Sequence, residues 1–156
     1  MADAGDFRAL LGRFPSGVAV VTVDRGGQRL GLTLGTLVGL SLDPPLVAFS
    51  VARQAALHEL LREAGRCTIS LLAAGQEALA EHFARGVPPI VMWQGIDATD
   101  GPRGPLLAEA VAWLECETVA EHDAGDHTLF LGRVERAERG REAPPLLRLW
   151  GEYRSA

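Results

Sequence analysis

The chain has 156 residues, of which 47% are apolar, so it is long enough for one domain with a buried core. Its net charge is −5 and all 15 basic residues are arginine, which excludes a lysine Schiff base and a phosphate-binding P-loop lysine. The arginines form no basic stripe, no apolar run reaches the roughly 18 residues that span a bilayer, and no signal peptide is visible, so we expect a cytoplasmic protein that binds neither nucleic acid nor membrane.

The first third of the chain predicts a helix followed by a hairpin. The helix carries apolar residues at helical spacing behind a possible N-cap, Asp6, and is stopped by Pro15. Residues 17–23 (GVAVVTV) predict a buried strand, residues 24–28 a turn, and residues 29–33 the return strand. The apolar positions of the helix are Phe7, Leu10, Leu11 and Phe14.

The middle of the chain alternates between strands and short helices. Residues 34–45 are glycine- and proline-containing and predict a long connection, which an apolar strand at 46–51 follows. A helix around Leu57–Ala64 ends at Gly65, residues 67–72 predict another strand, and residues 76–84 another helix.

The last third begins with a long loop, residues 85–105, which is rich in glycine and proline. Its apolar patch, residues 90–93 (IVMW), is expected to lie against a second subunit. Residues 110–121 predict an alternating strand with Glu115 and Glu117 on its polar side, residues 128–132 predict a buried strand, and residues 146–154 a terminal strand.

This pattern gives six or seven strands with two or three helices, within one domain at residues 1–156. The strands do not alternate regularly with helices, so a mainly β, α+β fold is expected, as a closed or nearly closed antiparallel barrel with helices at its rim. Cys67 and Cys116 lie in apolar segments and are expected to be buried thiols. The four histidines have no zinc-site spacing, so no metal site is predicted.

Two segments carry residues suited to chemistry. In the turn GDHT, Asp126 could orient the ring of His127 towards a ligand, or both residues could simply be satisfied at a strand end. Residues 33–41 (TLGTLVGLS) offer hydroxyls and small residues that could approach an anion, or they could form a plain loop. The chain has no GxSxG elbow and no dinucleotide fingerprint.

The order of several segments resembles the flavin reductase family of the FMN-binding split-barrel fold. These segments include FPSGVAVVTV, SLDPPLVAFSV, GDHTLFLGRV and LWGEYR, and the resemblance runs from Phe7 to Arg154. It implies a six-stranded antiparallel Greek-key split barrel with two to three peripheral helices. It also implies a homodimer that uses NADH or NADPH to reduce FMN or FAD for a partner monooxygenase.

The resemblance also implies which residues form the site. His127 would lie beside the nicotinamide and flavin, with Asp126 orienting it. The implied flavin-binding residues are Thr33, Leu34, Gly35, Thr36, Ser50, Val51, Ala52, Arg53, Phe83 and Ala84, with Gly151 and Tyr153 near the dinucleotide.

Some positions depart from the family pattern. Gly35 stands where relatives often carry serine, Ala52 and Ala55 stand in an Asn-Arg/Lys-Ser-Ser segment, and Met92 stands for a cation. Each lost hydrogen bond would weaken flavin binding by about 1 kcal/mol, so a weakly held flavin is expected. The alternative is a split-barrel protein that has lost reductase activity and binds another ligand or serves as a pathway enzyme or accessory protein.

Overall fold

The computed structural model describes residues 1–156 as three helices and twelve strands. None of the helices has the length and apolar character needed to cross a bilayer. The helices are α1 (Ala4–Leu11), α2 (Ala56–Ala64) and α3 (Glu77–Ala84). The strands are β1 (Ser16–Gly17), β2 (Ala19–Arg25), β3 (Gln28–Leu34), β4 (Val38–Leu42), β5 (Pro45–Ala52), β6 (Arg66–Leu71), β7 (Ala98–Thr99), β8 (Leu106–Leu107), β9 (Ala112–Ala124), β10 (His127–Arg139), β11 (Leu146–Leu149) and β12 (Glu152–Ser155).

The main sheet is antiparallel and has seven strands in the order β3-β2-β6-β9-β10-β5-β4. It curls so that β3 comes close to β5, but no ladder joins the two edge strands β3 and β4. A mainly β fold with three helices is therefore confirmed. The six-stranded count differs because β4 adds a seventh strand to the edge.

The core lies inside the curl of this sheet. Strand β2 is buried along most of its length, in keeping with its β-branched sequence. Helix α2 packs its apolar face, Leu57, Leu60 and Leu61, against the same core and ends at Gly65, whose φ of 64° suits glycine. Phe49 of β5 and Phe130 of β10 stack at 5.8 Å between ring centres, which joins the two strands that position the site.

Helix α1 begins earlier than the sequence predicted. Asp3, rather than Asp6, is the N-cap, and its Oδ1 accepts hydrogen bonds from the backbone N–H groups of Gly5 and Asp6. Asp6 instead lies in the first turn, where a carboxylate also favours the helix dipole. No residue of this helix is buried, so its apolar residues lie at the surface of the subunit.

Two segments each contain one more β-strand than the sequence predicts. The connection at 34–45 contains β4, whose alternating Val38, Leu40 and Leu42 form an edge strand paired with β5. The terminal segment is a hairpin, β11 and β12, which turns at Trp150 and Gly151. Both residues of the turn have positive φ, and Gly151 takes this conformation at little cost.

The apolar patch at residues 90–93 packs mainly on its own chain. Met92 is buried, and its Sδ accepts a hydrogen bond from the Gly31 N–H at 3.3 Å. The Trp93 indole donates to the carbonyl oxygen of Arg29 at 3.0 Å. The expectation that a second subunit covers this patch is therefore wrong for Met92, whereas Val91 and Trp93 are half-buried and Ile90 is largely exposed.

The two cysteines are free and buried, as predicted, and face each other as direct partners on β6 and β9. Contact with the Cys116 thiol and burial raise the pKa of the Cys67 thiol well above its usual value. The neighbouring Glu115 was expected on a solvent-facing side, but it is buried. The loop from β7 to β8 covers that face of the sheet, held by the Thr22 hydroxyl, which donates to the Pro105 carbonyl at 2.6 Å.

Candidate functional site

The Asp126–His127 pair lies where the β9–β10 hairpin turns, at the start of β10. His127 Nδ1 lies 2.7 Å from Asp126 Oδ1, so the pair holds the ring and leaves Nε2 for a ligand. The hydrogen bond with His127 is the main cause that lowers the pKa of Asp126. Since the His127 side chain is 41% exposed, it can touch a molecule bound at this rim.

Register places the end of β5 directly beside this pair. Ala52 faces His127, Val51 faces Thr128, and the Arg53 N–H donates to the Asp126 carbonyl at 3.0 Å. Residues 50–53 and 126–127, separated by more than seventy positions in the chain, therefore form one rim because β5 and β10 are antiparallel neighbours.

The Arg53 guanidinium is the cation of this rim. It forms an ion pair with Asp123 at 2.8 Å, and its charge contributes a smaller share to the lowered pKa of Asp126. Asp123 is 91% exposed, so water and salt screen this pair. Arg53 can therefore exchange Asp123 for a bound phosphate at little cost.

The β3–β4 loop reaches the rim through Thr36. Its Oγ1 accepts a hydrogen bond from the Ser50 N–H at 3.0 Å, which ties the loop to β5. The Thr33 hydroxyl points elsewhere and donates to the Ala80 carbonyl of α3 at 2.6 Å. The structure thus brings Thr36 to the rim, whereas Thr33 and the buried Leu34 secure the root of the loop.

Phe83 lies in the core rather than at a ligand surface. It is 2% exposed, and a Cβ atom built on Gly31 would approach its ring to 2.7 Å, so Gly31 is required for this packing. Its ring also contacts Trp93 at 5.4 Å between centres. Its neighbour Ala84, at the end of α3, is exposed. The side chain of Phe83 therefore supports α3 instead of presenting a surface.

Tyr153, one of the residues predicted to lie at the site, is on the β11–β12 hairpin, which reaches the β3–β4 loop near Gly35. A Cβ atom built on Gly35 would lie 3.4 Å from the Ser16 hydroxyl, and Ser16 pairs with Arg148, which in turn pairs with Tyr153. Partial burial is the main cause that raises the pKa of Tyr153. The hairpin that carries Tyr153 thus lies next to the β3–β4 loop, one step from the rim.

His58 is a residue that sequence reasoning missed. It is 6% exposed, with Nε2 at 2.8 Å from the Thr128 hydroxyl and Nδ1 at 3.0 Å from Glu59 Oε1. The hydrogen bond with His58 is the main cause that lowers the pKa of Glu59. The available signal was its place between Leu57 and Leu60, on the buried face of α2.

A polar cavity of about 500 Å³ adjoins the rim on this side. It lies between α2 and the β9–β10 hairpin. Its lining includes Arg53, His58, Arg62, His122, Asp123 and Thr128.

Comparison with known proteins identifies a matching family and close relatives. The model of the flavin reductase like domain matches residues 11–156. The reductase component of 4-hydroxyphenylacetate 3-monooxygenase from Thermus thermophilus is 42% identical over 148 residues, which cover 95% of this chain and 93% of that protein. An NADH-dependent flavin reductase from a Rhodococcus species is 40% identical, with 95% of this chain and 84% of that protein covered.

A solved structure agrees with these matches. The NADH:FAD oxidoreductase of Streptomyces globisporus superposes with a TM-score of 0.92 at 37% identity. The superposition covers 100% of this chain and 96% of that one. The agreement therefore extends over the strands that form the rim as well as the core.

Proposed function

The chain belongs to the flavin reductase like domain family, and from this premise we propose that it is an NAD(P)H-dependent flavin oxidoreductase. Its substrates are NADH or NADPH and FMN or FAD, and its product is reduced flavin for a partner monooxygenase. The matched relatives include NADH-dependent flavin reductases and a reductase component of a monooxygenase, which supports both parts of the proposal.

The observation that carries this proposal is the joining of residues 50–53 with Asp126 and His127 at one exposed rim. The donors there fit a flavin nucleotide. Arg53 is a cation suited to its phosphate, and Nε2 of His127 is suited to a polar ring edge. A bound flavin supplies the hydride chemistry, so the protein needs no nucleophile of its own.

The residues of the rim then act by binding and orientation. Arg53 holds the phosphate in exchange for Asp123, while the β3–β4 loop, fixed by Thr36, contributes backbone next to Ser50. Asp126 holds the His127 ring so that Nε2 can orient the nicotinamide or the flavin edge. Holding two reactants in a fixed relative position is worth several powers of ten in rate. Phe83 and Leu34 contribute through packing. We infer that Ala84 lies near the flavin, and Gly151 and Tyr153 near the dinucleotide.

Purified protein mixed with NADH and FMN tests the activity. We expect the absorbance of NADH to fall with FMN or FAD present and to stay constant without flavin. NADPH in place of NADH, and FAD in place of FMN, then establish the preferred pair. An absence of NADH consumption with either flavin would contradict the proposal and favour a barrel with another ligand.

We also propose that the protein is a homodimer. Strand β4 ends the sheet as an edge strand and leaves Val38, Leu40 and Leu42 exposed, with Leu42 at 95%. An exposed apolar edge strand is an aggregation hazard unless another surface covers it. A second copy of the chain on β4 would cover this edge.

The finer architecture and the location complete the proposal. We infer that residues 1–156 act as one domain in which the curled sheet works as a split barrel, six of its strands forming the Greek-key barrel and β4 lying at its open edge. We infer a cytoplasmic location from the two free cysteines, since disulfides are rare in that reducing compartment.

A further inference from the structure

A second cavity lies on the opposite side of the sheet from the core, away from the flavin rim. It has a volume of about 370 Å³ and is bounded by β9, β10 and the loop between β7 and β8. Its size is within the range of cavities that hold small molecules. The lining residues that matter here are Asp100, Leu106, Glu109, Trp113, Glu115 and Arg136.

Glu115 is the unusual residue of this cavity. It is 3% exposed, and its Oε1 has no hydrogen-bond partner in the protein. Its Oε2 lies 3.6 Å from Arg136 Nη1, which is too long for a hydrogen bond. Arg136 thus gives Glu115 an ion-pair partner but no hydrogen bond, and a hydrogen-bond donor from outside the chain would stabilise the buried carboxylate.

The backbone is shaped around this carboxylate. A bulge in β10 between Val134 and Arg136 sets Arg136 opposite Glu115, while Val134 stays opposite Cys116. Bulges often redirect a side chain towards a site. Arg136 is nevertheless held by Glu138, at 2.7 Å, and not by Glu115. The strand therefore brings a cation near Glu115 without satisfying it.

The charge of the lining defines what the cavity accepts. It contains four carboxylates, of which Asp100 pairs with Arg29, Glu109 with Arg141 and Glu138 with Arg136. Glu115 is therefore the carboxylate of the lining that no hydrogen bond satisfies. These carboxylates do not form a group that could hold a metal ion. An organic cation with N–H donors fits better, because it can donate to Glu115 while its apolar part packs on Leu106 and Trp113.

We propose that this cavity binds a small organic cation of the ammonium, amidinium or guanidinium class, with Glu115 as its anchoring carboxylate. The Trp113 indole N–H is already used, since it donates to the Leu107 carbonyl at 2.9 Å, so the indole is fixed in place as an apolar wall. The site is separate from the flavin rim and does not rest on the reductase activity.

Benzamidinium is a suitable probe because its planar amidinium matches a carboxylate and its ring matches Leu106 and Trp113. We expect saturable binding to the full chain by calorimetry and a shift of the Trp113 indole N–H signal in NMR spectra. Neutral benzamide, which has the same shape without the charge, should bind at least about tenfold more weakly. Equal binding of benzamide, or no saturable benzamidinium binding up to millimolar concentration, would overturn the proposal, the latter leaving ordered water as the occupant.

Variants identify the anchor. Glu115→Gln should weaken benzamidinium at least about tenfold, whereas Glu142→Gln, an exposed carboxylate outside the cavity, should leave binding unchanged. Arg136→Gln removes the competing cation and should tighten binding by about two- to fivefold. Unchanged affinity in Glu115→Gln would contradict the assignment. If Glu115→Gln does not fold, the Arg136→Gln variant tests the assignment of Glu115 as the anchor. Unchanged or weaker benzamidinium binding in Arg136→Gln would then contradict that assignment.

Discussion

At the scale of single residues, His127 is the side chain on which the proposed hydride transfer depends most. The residue begins β10 and is partly exposed, so His127→Ala should leave the sheet folded and cost about 1 kcal/mol of stability. Loss of the orienting contact should lower the rate of NADH oxidation at saturating FMN by about tenfold or more, with little change in flavin affinity. Full turnover in the variant would remove His127 from the mechanism.

Asp126→Asn is the companion variant, with a smaller effect in the same direction if Asp126 only orients the ring. Thermal melts of both variants separate function from structure. A melting temperature lower by more than about 10 °C in His127→Ala would instead assign the residue a structural role.

Asp123 offers a test of how Arg53 binds phosphate. Asp123→Asn removes the exposed partner of Arg53 and one negative charge from the rim. We expect FMN to bind up to about fivefold more tightly, as measured by quenching of flavin fluorescence. Lumiflavin, which lacks the phosphate, should bind the variant and the wild type equally. Tighter lumiflavin binding, or unchanged FMN binding, would contradict the proposal that Arg53 binds the FMN phosphate.

At the scale of secondary-structure elements, helix α2 shows that one departure from the family has two consequences. Ala55 is its N-cap and provides no side-chain hydrogen bond. Ala55→Ser should therefore cap the helix and stabilise the flavin-free protein by about 1 kcal/mol. It should also tighten FMN binding by about 1 kcal/mol through a recovered hydrogen bond. Gly35→Ser, which has room beside the Ser16 hydroxyl, should add a flavin contact worth about 1 kcal/mol without that gain.

Melts without flavin and titrations with FMN distinguish the two effects. A higher melting temperature in Gly35→Ser and not in Ala55→Ser would reverse the assignment. Unchanged FMN affinity in Gly35→Ser would show that this position is not a flavin contact.

The elements also show what the sequence could predict. Strand β2 follows from its continuous run of β-branched residues, and helix α2 follows from the helical spacing of its apolar residues. For strand β4 the sequence predicts a connection instead, since Gly39 and the following proline pair obscure the alternation of Val38, Leu40 and Leu42. Pairing with β5, a tertiary effect, is what makes it a strand.

The same limit applied to the site. The local pair Asp126–His127 was visible because its members are adjacent in sequence. The burial of Glu115 and the contact of His58 with Thr128 depend on segments more than ten positions away, so alternation alone predicted the wrong environment for Glu115 and none for His58. The local sequence likewise predicts a subunit contact for Met92, because its partner in the structure, Gly31, is distant in the chain.

At the scale of the whole molecule, the homodimer has a direct test. Light scattering at micromolar concentration should give about twice 16.6 kDa. Leu42→Arg places a charge on the β4 edge and should shift the mass towards the monomer, while Ile90→Arg, on an exposed loop position, should not. A wild-type monomer would contradict the dimer, and dissociation by Ile90→Arg alone would move the interface away from β4.

The central claim is that the rim formed by residues 50–53, Asp126 and His127 supports hydride transfer from NADH to a flavin. The most direct measurement follows flavin absorbance in a stopped-flow instrument without oxygen, with protein, FMN and an equal amount of NADH. We expect the flavin to bleach in step with NADH consumption, faster by several powers of ten than without protein, and about tenfold slower in His127→Ala. Bleaching at the rate of the protein-free mixture would contradict the account.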